Sequence, residues 1–204
     1  MTSMAGASPD GLRERKKART RASIRECALR LFREHGYEAT TVEKIAEAAE
    51  VSPSTFFRYF PTKEDVVLQD GMDIRMIEAL EQQPPELGPV AAVRAAAQQM
   101  FASYTEADLE VLRETTALTL TVPEIRASAV DELARTIRVV AEALARRAGR
   151  PADDLAVRTA AGAIIGVIMA ITLPWEDWPG QVTIPDTFQT IDEALALLEA
   201  GLPL

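Results

Sequence analysis

The stretch Thr41–Lys63, TVEKIAEAAEVSPSTFFRYFPTK, decides how this chain is to be read. Thr41 stands where a hydroxyl accepts a free amide of a helix's first turn, and Val42, Ile45, Ala46 and Ala49 recur behind it at helical spacing. The stripe stops at Ala49-Glu50-Val51. Ser52 then offers a second N-cap, and Pro53 fills the first helical position, where a missing N–H costs nothing. Phe56 and Phe60, four apart, share one face and suit an anchor into a core. The opposite face carries Pro53, Ser54, Phe57 and Arg58, with Thr55 and Tyr59 at its margins. A tight turn followed by a short helix with a compact, partly polar ridge has the dimensions a DNA major groove admits.

The charge distribution agrees with a nucleic-acid partner for this end of the chain. The 204 residues carry a net charge of −9, which looks wrong for a DNA binder until it is divided. Residues 1–63 hold 12 Lys+Arg against 8 Asp+Glu, whereas residues 64–204 hold 10 against 23. Phosphate neutralisation is local, so a basic end on an acidic body suits end-on binding. Arg13, Arg15, Lys16, Lys17, Arg19 and Arg21 precede the first apolar stripe of Ile24, Cys27, Ala28, Leu31 and Phe32. They read either as a solvated helix start or as an N-terminal arm on phosphates or the minor groove. Residues 1–12 are small and polar, lack the apolar centre of a secretory signal, and are expected to form a disordered tail.

Several function classes lose support from residue types alone. Cys27 is the only cysteine, so no internal disulfide forms, and a reducing cytoplasm is the expected setting. His35 is the only histidine and sits before Gly36, where helix capping is its simplest role. No metal site and no cofactor are expected, since soft ligands are too few and the glycines form no phosphate-cradling loop. Neither a Ser/His/Asp nor a Cys/His catalytic arrangement stands out, and the chain is not expected to be an enzyme. Thr159–Leu173 runs 15 residues without charge and contains Gly162-x-x-x-Gly166. It falls short of the roughly 20 residues a membrane span needs, so a buried helix with close helix–helix approach is expected, not a membrane segment.

The rest of the chain reads as all-α, about nine helices punctuated by proline and glycine. The first is expected over Leu12–His35, followed by the pair of the motif. A fourth runs from Thr62 to about Gln82, a fifth over Pro89–Glu106 and a sixth over Ala107–Leu120. A seventh spans Pro123–Gly149, an eighth Pro151–Leu173 and a last one Asp186–Ala200, with Trp175 and Trp178 in the loop before it. No period-2 alternation supports a strand. The eighth helix is apolar over more than half its circumference, through Ile164, Val167, Ile168 and Ile171, and the last carries an apolar stripe of Phe188, Ile191, Leu195 and Leu198. Helices of that kind need cover on more than one side.

The motif resembles the helix-turn-helix of the TetR family of bacterial transcriptional repressors, whose pattern runs roughly T-V-x-x-I-A-x-x-A-G-V-S-x-x-T-x-Y-x-Y-F-x-x-K. Glu50 departs from the usual glycine and is expected in a left-handed turn; Phe57 departs from the usual tyrosine and lacks its hydroxyl. The resemblance implies a DNA-binding domain over 13–63 with its motif at 41–60, and a helical effector-binding and dimerisation domain over 64–204. By resemblance, Thr41 and Lys44 contact phosphates of double-stranded DNA, and Ser54, Phe57 and Arg58 face bases with Pro53 close by. Thr55 and Tyr59 touch the backbone, and Lys63 holds a phosphate. The resemblance also implies a homodimer formed by the last two helices, reading a palindromic operator as a repressor. It further implies release by a small hydrophobic or aromatic effector bound in a cavity among helices five to eight. Met72, Met76, Met100, Phe101, Tyr104, Leu118 and Trp175 are candidates for the cavity wall, with plain core filling as the other reading. The alternative function is a dimeric DNA-binding regulator without a small-molecule effector, which a fully packed second domain would favour.

Overall fold

The protein, a computed structural model, is described over residues 9–69, 71–172 and 183–203. Those residues form helices and connections with no strand. The helices are α1 (Pro9–His35), α2 (Val42–Ala48), α3 (Pro53–Tyr59), α4 (Asp65–Leu68) and α5 (Met72–Glu81). They continue with α6 (Pro89–Ala102), α7 (Glu106–Thr121), α8 (Pro123–Ala148), α9 (Leu155–Thr172) and α10 (Ile184–Glu199). The chain divides into two compact units, Met1–Val67 and Leu68–Leu204, four residues beyond the boundary expected after Lys63. Two expectations need correction. Pro9–Leu12, expected in a tail, already belong to α1. The helix expected over 62–82 is two helices, because Gly71 sits at φ +80°, a left-handed conformation a helix interior does not admit.

In the first unit α1 packs on α2 and α2 on α3. Ile24, Ala28, Ile45, Phe56, Phe60 and Val66 are fully buried and form its centre. The helix starts are set by the expected hydroxyls: Thr41 Oγ1 accepts from the Lys44 amide, and Ser52 Oγ accepts from the Thr55 amide at 3.1 Å. Before α4, Thr62 and Asp65 exchange side-chain-to-backbone bonds of 2.9 and 3.2 Å, a reciprocal cap.

The turn between α2 and α3 closes on Glu50, at φ +54°. The Val51 amide donates to the Ala46 carbonyl and the Glu50 amide to the Glu47 carbonyl, so α2 ends in a Schellman motif with a charged residue where glycine is preferred. Glu50→Gly is expected to raise the unfolding free energy by about 1 kcal/mol, because a side chain in the left-handed region costs roughly that much. A urea titration of the full chain checks it, and a lower midpoint would mean that the Glu50 side chain contributes a contact.

In the second unit α5 lies against α6 and α8, α8 against α7 and α9, and α10 against α6 and α9. Ala92, Ala96, Ala161, Ile164 and Leu195, none with any exposure, form its core with Val93, Leu144 and Val157. Alanines allow α6 and α9 to approach their neighbours closely. Arg147 of α8 reaches the loop between α5 and α6, donating to the carbonyls of Gln83 (2.9 Å) and Pro84. It supplies donors that the Pro84-Pro85 segment lacks. Thr105 and Asp108 form a capping box that starts α7, and Thr183 caps α10.

Candidate nucleic-acid interface and ligand cavity

Helix α3 presents two chemically different faces. Phe56 and Phe60 are fully buried, with ring centroids 5.9 Å apart. Pro53, Ser54, Phe57 and Arg58 are exposed, and Thr55 and Tyr59 are half-buried at the edges of that ridge. The order is the one the Phe-x-x-x-Phe spacing predicts. Phe57 keeps half its surface in water, and its ring stands edge-on to Phe56 at 5.5 Å, which holds it in place. The Arg58 guanidinium rests over the Tyr59 ring at 5.4 Å, a contact weak enough at the surface to yield to a better partner. Ser52 Oγ sits 2.9 Å from both Ser54 Oγ and Thr55 Oγ1, so the hydroxyls at the start of α3 form one connected group.

Thr41 and Lys44 are exposed at the start of α2, and the Lys44 ammonium donates to the Ala39 carbonyl at 2.9 Å. Lys63 is half-buried and turned toward its own unit. Its Nζ donates to the carbonyls of Tyr37 and Thr40, at 3.1 and 3.2 Å, and lies 3.8 Å from the centroid of the Tyr37 ring. The ammonium therefore ties the segment after α1 to the segment before α4. Tyr37 in turn donates to Glu64 at 2.5 Å. Partial burial pushes the Glu64 carboxyl up, but that bond, with others from Glu64's own amide and Thr62, holds it below its usual value.

The basic segment of α1 separates into two groups. Arg13, Arg15, Lys16, Lys17 and Arg19 are exposed. Arg21 donates to the Tyr59 carbonyl at 3.0 Å and covers the Phe60 ring at 4.4 Å, while Arg25 Nε donates to the Val66 carbonyl at 3.1 Å. Sequence reasoning left Arg21 with the other cations, either on a solvated helix start or on an arm contacting DNA. Its role as the brace behind the C-terminus of α3 depends on a neighbour 38 residues away.

The second unit holds a cavity of about 460 Å³ walled by α5, α6, α9 and α10. Met72, Met76, Met100 and Phe101 line it as expected. Leu118, on α7, is not among the lining residues, and Trp175 lies outside the described residues. Tyr104 stands just behind the wall, its ring 6.2 Å from Phe101 and 6.3 Å from Phe188. The cavity is thus bounded by α5 and α10 as well as by α6 and α9, the fifth and eighth of the helices five to eight expected to enclose it. That position also revises residues assigned to the dimer surface. Ile168, Phe188, Ile191 and Leu195 line the cavity, and Ile164 and Leu195 have no exposure at all. The strongest apolar stripe of α9 and α10 thus faces the subunit's own interior. Sequence reasoning also missed Arg94, Gln98 and Asp192 on the cavity wall.

The outer face of α9 is made of small residues. Thr159, Gly166 and Ala170 are exposed, Gly162 and Ala163 are half-buried, and Leu155 is 79% exposed. By length and composition alone α9 could cross a membrane, and only 22% of it is buried within one subunit.

A buried aromatic pair holding a short, capped helix with its polar ridge outward, one tight turn after another short helix, defines a helix-turn-helix DNA-binding regulator. Comparison with known proteins gives its family. Residues 24–69 match the model for bacterial regulatory proteins of the tetR family, and residues 87–203 match the MftR C-terminal domain. The chain belongs to the TetR family of transcriptional regulators. It is 44% identical over 102 residues to the transcriptional regulator TcmR of Streptomyces glaucescens, covering 49% of this chain and 45% of TcmR. The chain therefore spans about half the length of that relative. It is 25% identical over 189 residues to MftR of Mycobacterium tuberculosis, a proposed mycofactocin biosynthesis regulator, covering 92% of this chain and 93% of MftR. Among solved structures, FadR of Thermus thermophilus, a transcriptional repressor in complex with lauroyl-CoA, is 27% identical with a TM-score of 0.52. That match covers 90% of this chain and 95% of FadR.

Proposed function

We propose that the protein is a homodimeric repressor that reads a palindromic operator through α3 and releases it when a small hydrophobic ligand fills the cavity of the second unit. The observation that carries the DNA-reading half is the outward ridge of Pro53, Ser54, Phe57 and Arg58 over a fully buried Phe56 and Phe60. Arg58 is the side chain of that ridge able to make a bidentate contact with guanine, and the Phe57 ring suits the methyl group of thymine. Thr41 and Lys44 flank the ridge as phosphate contacts, with the exposed cations of α1 beyond them. Lys63, by its geometry, positions the reading unit, and its phosphate role in this proposal is secondary.

One seven-residue helix offers too few contacts for a stable complex, and two related by a dyad reach successive major grooves. The outer face of α9, apolar and uncovered in a single subunit, is the surface proposed for that pairing. Cover by a second copy accounts for its exposure without a membrane.

The ligand-released reading is supported by the cavity itself and by the likeness to FadR, a repressor bound to lauroyl-CoA. A volume of about 460 Å³ is within the range of small-molecule sites. The alternative, a regulator without an effector, is favoured by a fully packed second unit, and the space between α5, α6, α9 and α10 weighs against it.

Selection of bound sequences from random DNA at fixed salt tests the proposal, because salt sets the non-specific background. A palindrome with half-sites about one helical turn apart is the expected result. Arg58→Ala is then expected to relax preference at one base pair per half-site by about 1–3 kcal/mol, with the salt dependence nearly unchanged. If Arg58→Ala alters only the salt dependence, Arg58 contacts phosphate and does not read a base.

A further inference from the structure

The polar part of the cavity wall carries an unusual charge arrangement for a site framed by methionines and phenylalanines. Arg94 of α6 forks onto Asp192 of α10, Nε to Oδ1 and Nη2 to Oδ2, both at 3.1 Å. Its remaining terminal nitrogen, Nη1, donates to Glu199 at 2.9 Å. Gln98 adds a bond to Asp192 Oδ1 at 3.0 Å. Among the described residues that line the cavity Arg94 is the only cation, and it is already engaged by two carboxylates. The group as a whole is one negative charge in excess.

An incoming carboxylate must share Arg94 with Asp192 and Glu199 through its two remaining N–H groups, or displace one of them, and either way it comes to rest beside an anion already there. The price is repulsion between two partly desolvated anions. A cation meets the opposite situation. A carboxylate accepts about four hydrogen bonds, and Asp192 receives three here, from Arg94 twice and from Gln98. The remaining wall strengthens the preference. Met76 and Met100 bring polarizable sulfur to the wall, beside the stacked rings of Phe101 and Phe188, whose centroids are 4.2 Å apart.

We propose that this cavity selects lipophilic ligands whose polar end is a cation, such as a long-chain amine, and rejects the matching carboxylate. The inference rests on the cavity being the effector site, and it adds the charge of the effector.

Titration calorimetry of the full chain with n-decylammonium and with decanoate, matched in chain length and below micelle formation, separates the two ideas. Decylammonium is expected to bind at least tenfold more tightly and to release operator DNA at correspondingly lower concentration. Asp192→Asn is expected to bring the two affinities close together. Because that change also loosens the fork to Arg94, Glu199→Gln serves as the milder variant: it keeps the fork, removes one negative charge, and is expected to narrow the ratio. Equal or tighter binding of decanoate, with release of DNA, overturns the charge selectivity while leaving the cavity as the effector site. Binding of neither probe, or binding without effect on the operator, overturns the effector reading and this inference together.

Discussion

Phe56→Ala is expected to unfold the DNA-binding unit and abolish operator binding, although Phe56 touches no DNA in the proposed arrangement. The side chain has no exposure and lies against Phe57 and Phe60, with centroids 5.5 and 5.9 Å away. Truncating a buried phenylalanine costs about 3–5 kcal/mol, partly in lost transfer energy and partly in the cavity left behind. A unit that ends at Val67 has roughly 3–10 kcal/mol of stability in total, by the usual yield per residue. The loss therefore consumes most or all of it. Helix α3 has only seven residues and cannot persist without its anchor, since isolated helices of that length are not stable in water. Phe56→Leu, which keeps most of the volume, is expected to cost less than half as much and to retain binding. Urea unfolding of both variants, paired with operator binding, is the check. A Phe56→Ala protein within 0.5 kcal/mol of the parent would show that α1 and α2 hold α3 without this side chain.

How much of this was legible in the sequence follows from the range of the interactions involved. The start of α2 at Thr41, the start of α3 at Ser52-Pro53 and the left-handed Glu50 are settled within four residues of chain, and all three are as the sequence predicts. The two faces of α3 follow from a spacing of four. The interruption at Gly71 was missed because apolar residues continue at helical spacing on both sides of it, from Val66 to Met76. Periodicity records burial and is blind to a single residue of different φ.

On α9 and α10 the sequence does not separate buried from exposed apolar faces, for a related reason. Ile164 and Leu195 are the strongest apolar positions, so any amphipathic reading selects them, and they serve the subunit's own core. The exposed face of α9 is marked by Thr159, Gly166 and Ala170, whose small side chains contribute little to a hydrophobic pattern. The fork from Arg94 to Asp192 spans 98 residues of sequence and lay beyond any local pattern. Its physical consequence is nevertheless large. The hydrogen bonds to Asp192 and Glu199 hold the Arg94 guanidinium in its charged form beyond the ordinary arginine tendency, and they join α6 to α10.

Gly166→Arg is expected to leave each subunit folded, to separate the dimer, and to reduce operator affinity by about 10²–10⁴-fold. Nothing within the subunit requires glycine at this position. A Cβ built at Gly162 or Gly166 meets no atom within 4 Å, and both lie in the interior of α9, where glycine costs about 0.5–1 kcal/mol relative to alanine. Residues that weaken a helix without relieving any internal contact suit a surface that another helix approaches closely, since the interaxial distance is set by the side chains at the crossing. Arginine at 166 restores helix propensity, so the separated subunits are expected to stay folded, with any fall in thermal midpoint coming from loss of the partner's stabilisation. Its long charged side chain, placed on the proposed mating face, forces two copies apart. Each reading helix then binds its half-site alone and forfeits the effective concentration that linkage to a second supplies, which accounts for the magnitude. Gly166→Ala provides the graded comparison, adding a single methyl group, with a more stable subunit and a weaker dimer expected together. Sedimentation and operator titration decide the matter. A Gly166→Arg protein that remains dimeric with undiminished affinity would place the dimer contact elsewhere than the outer face of α9.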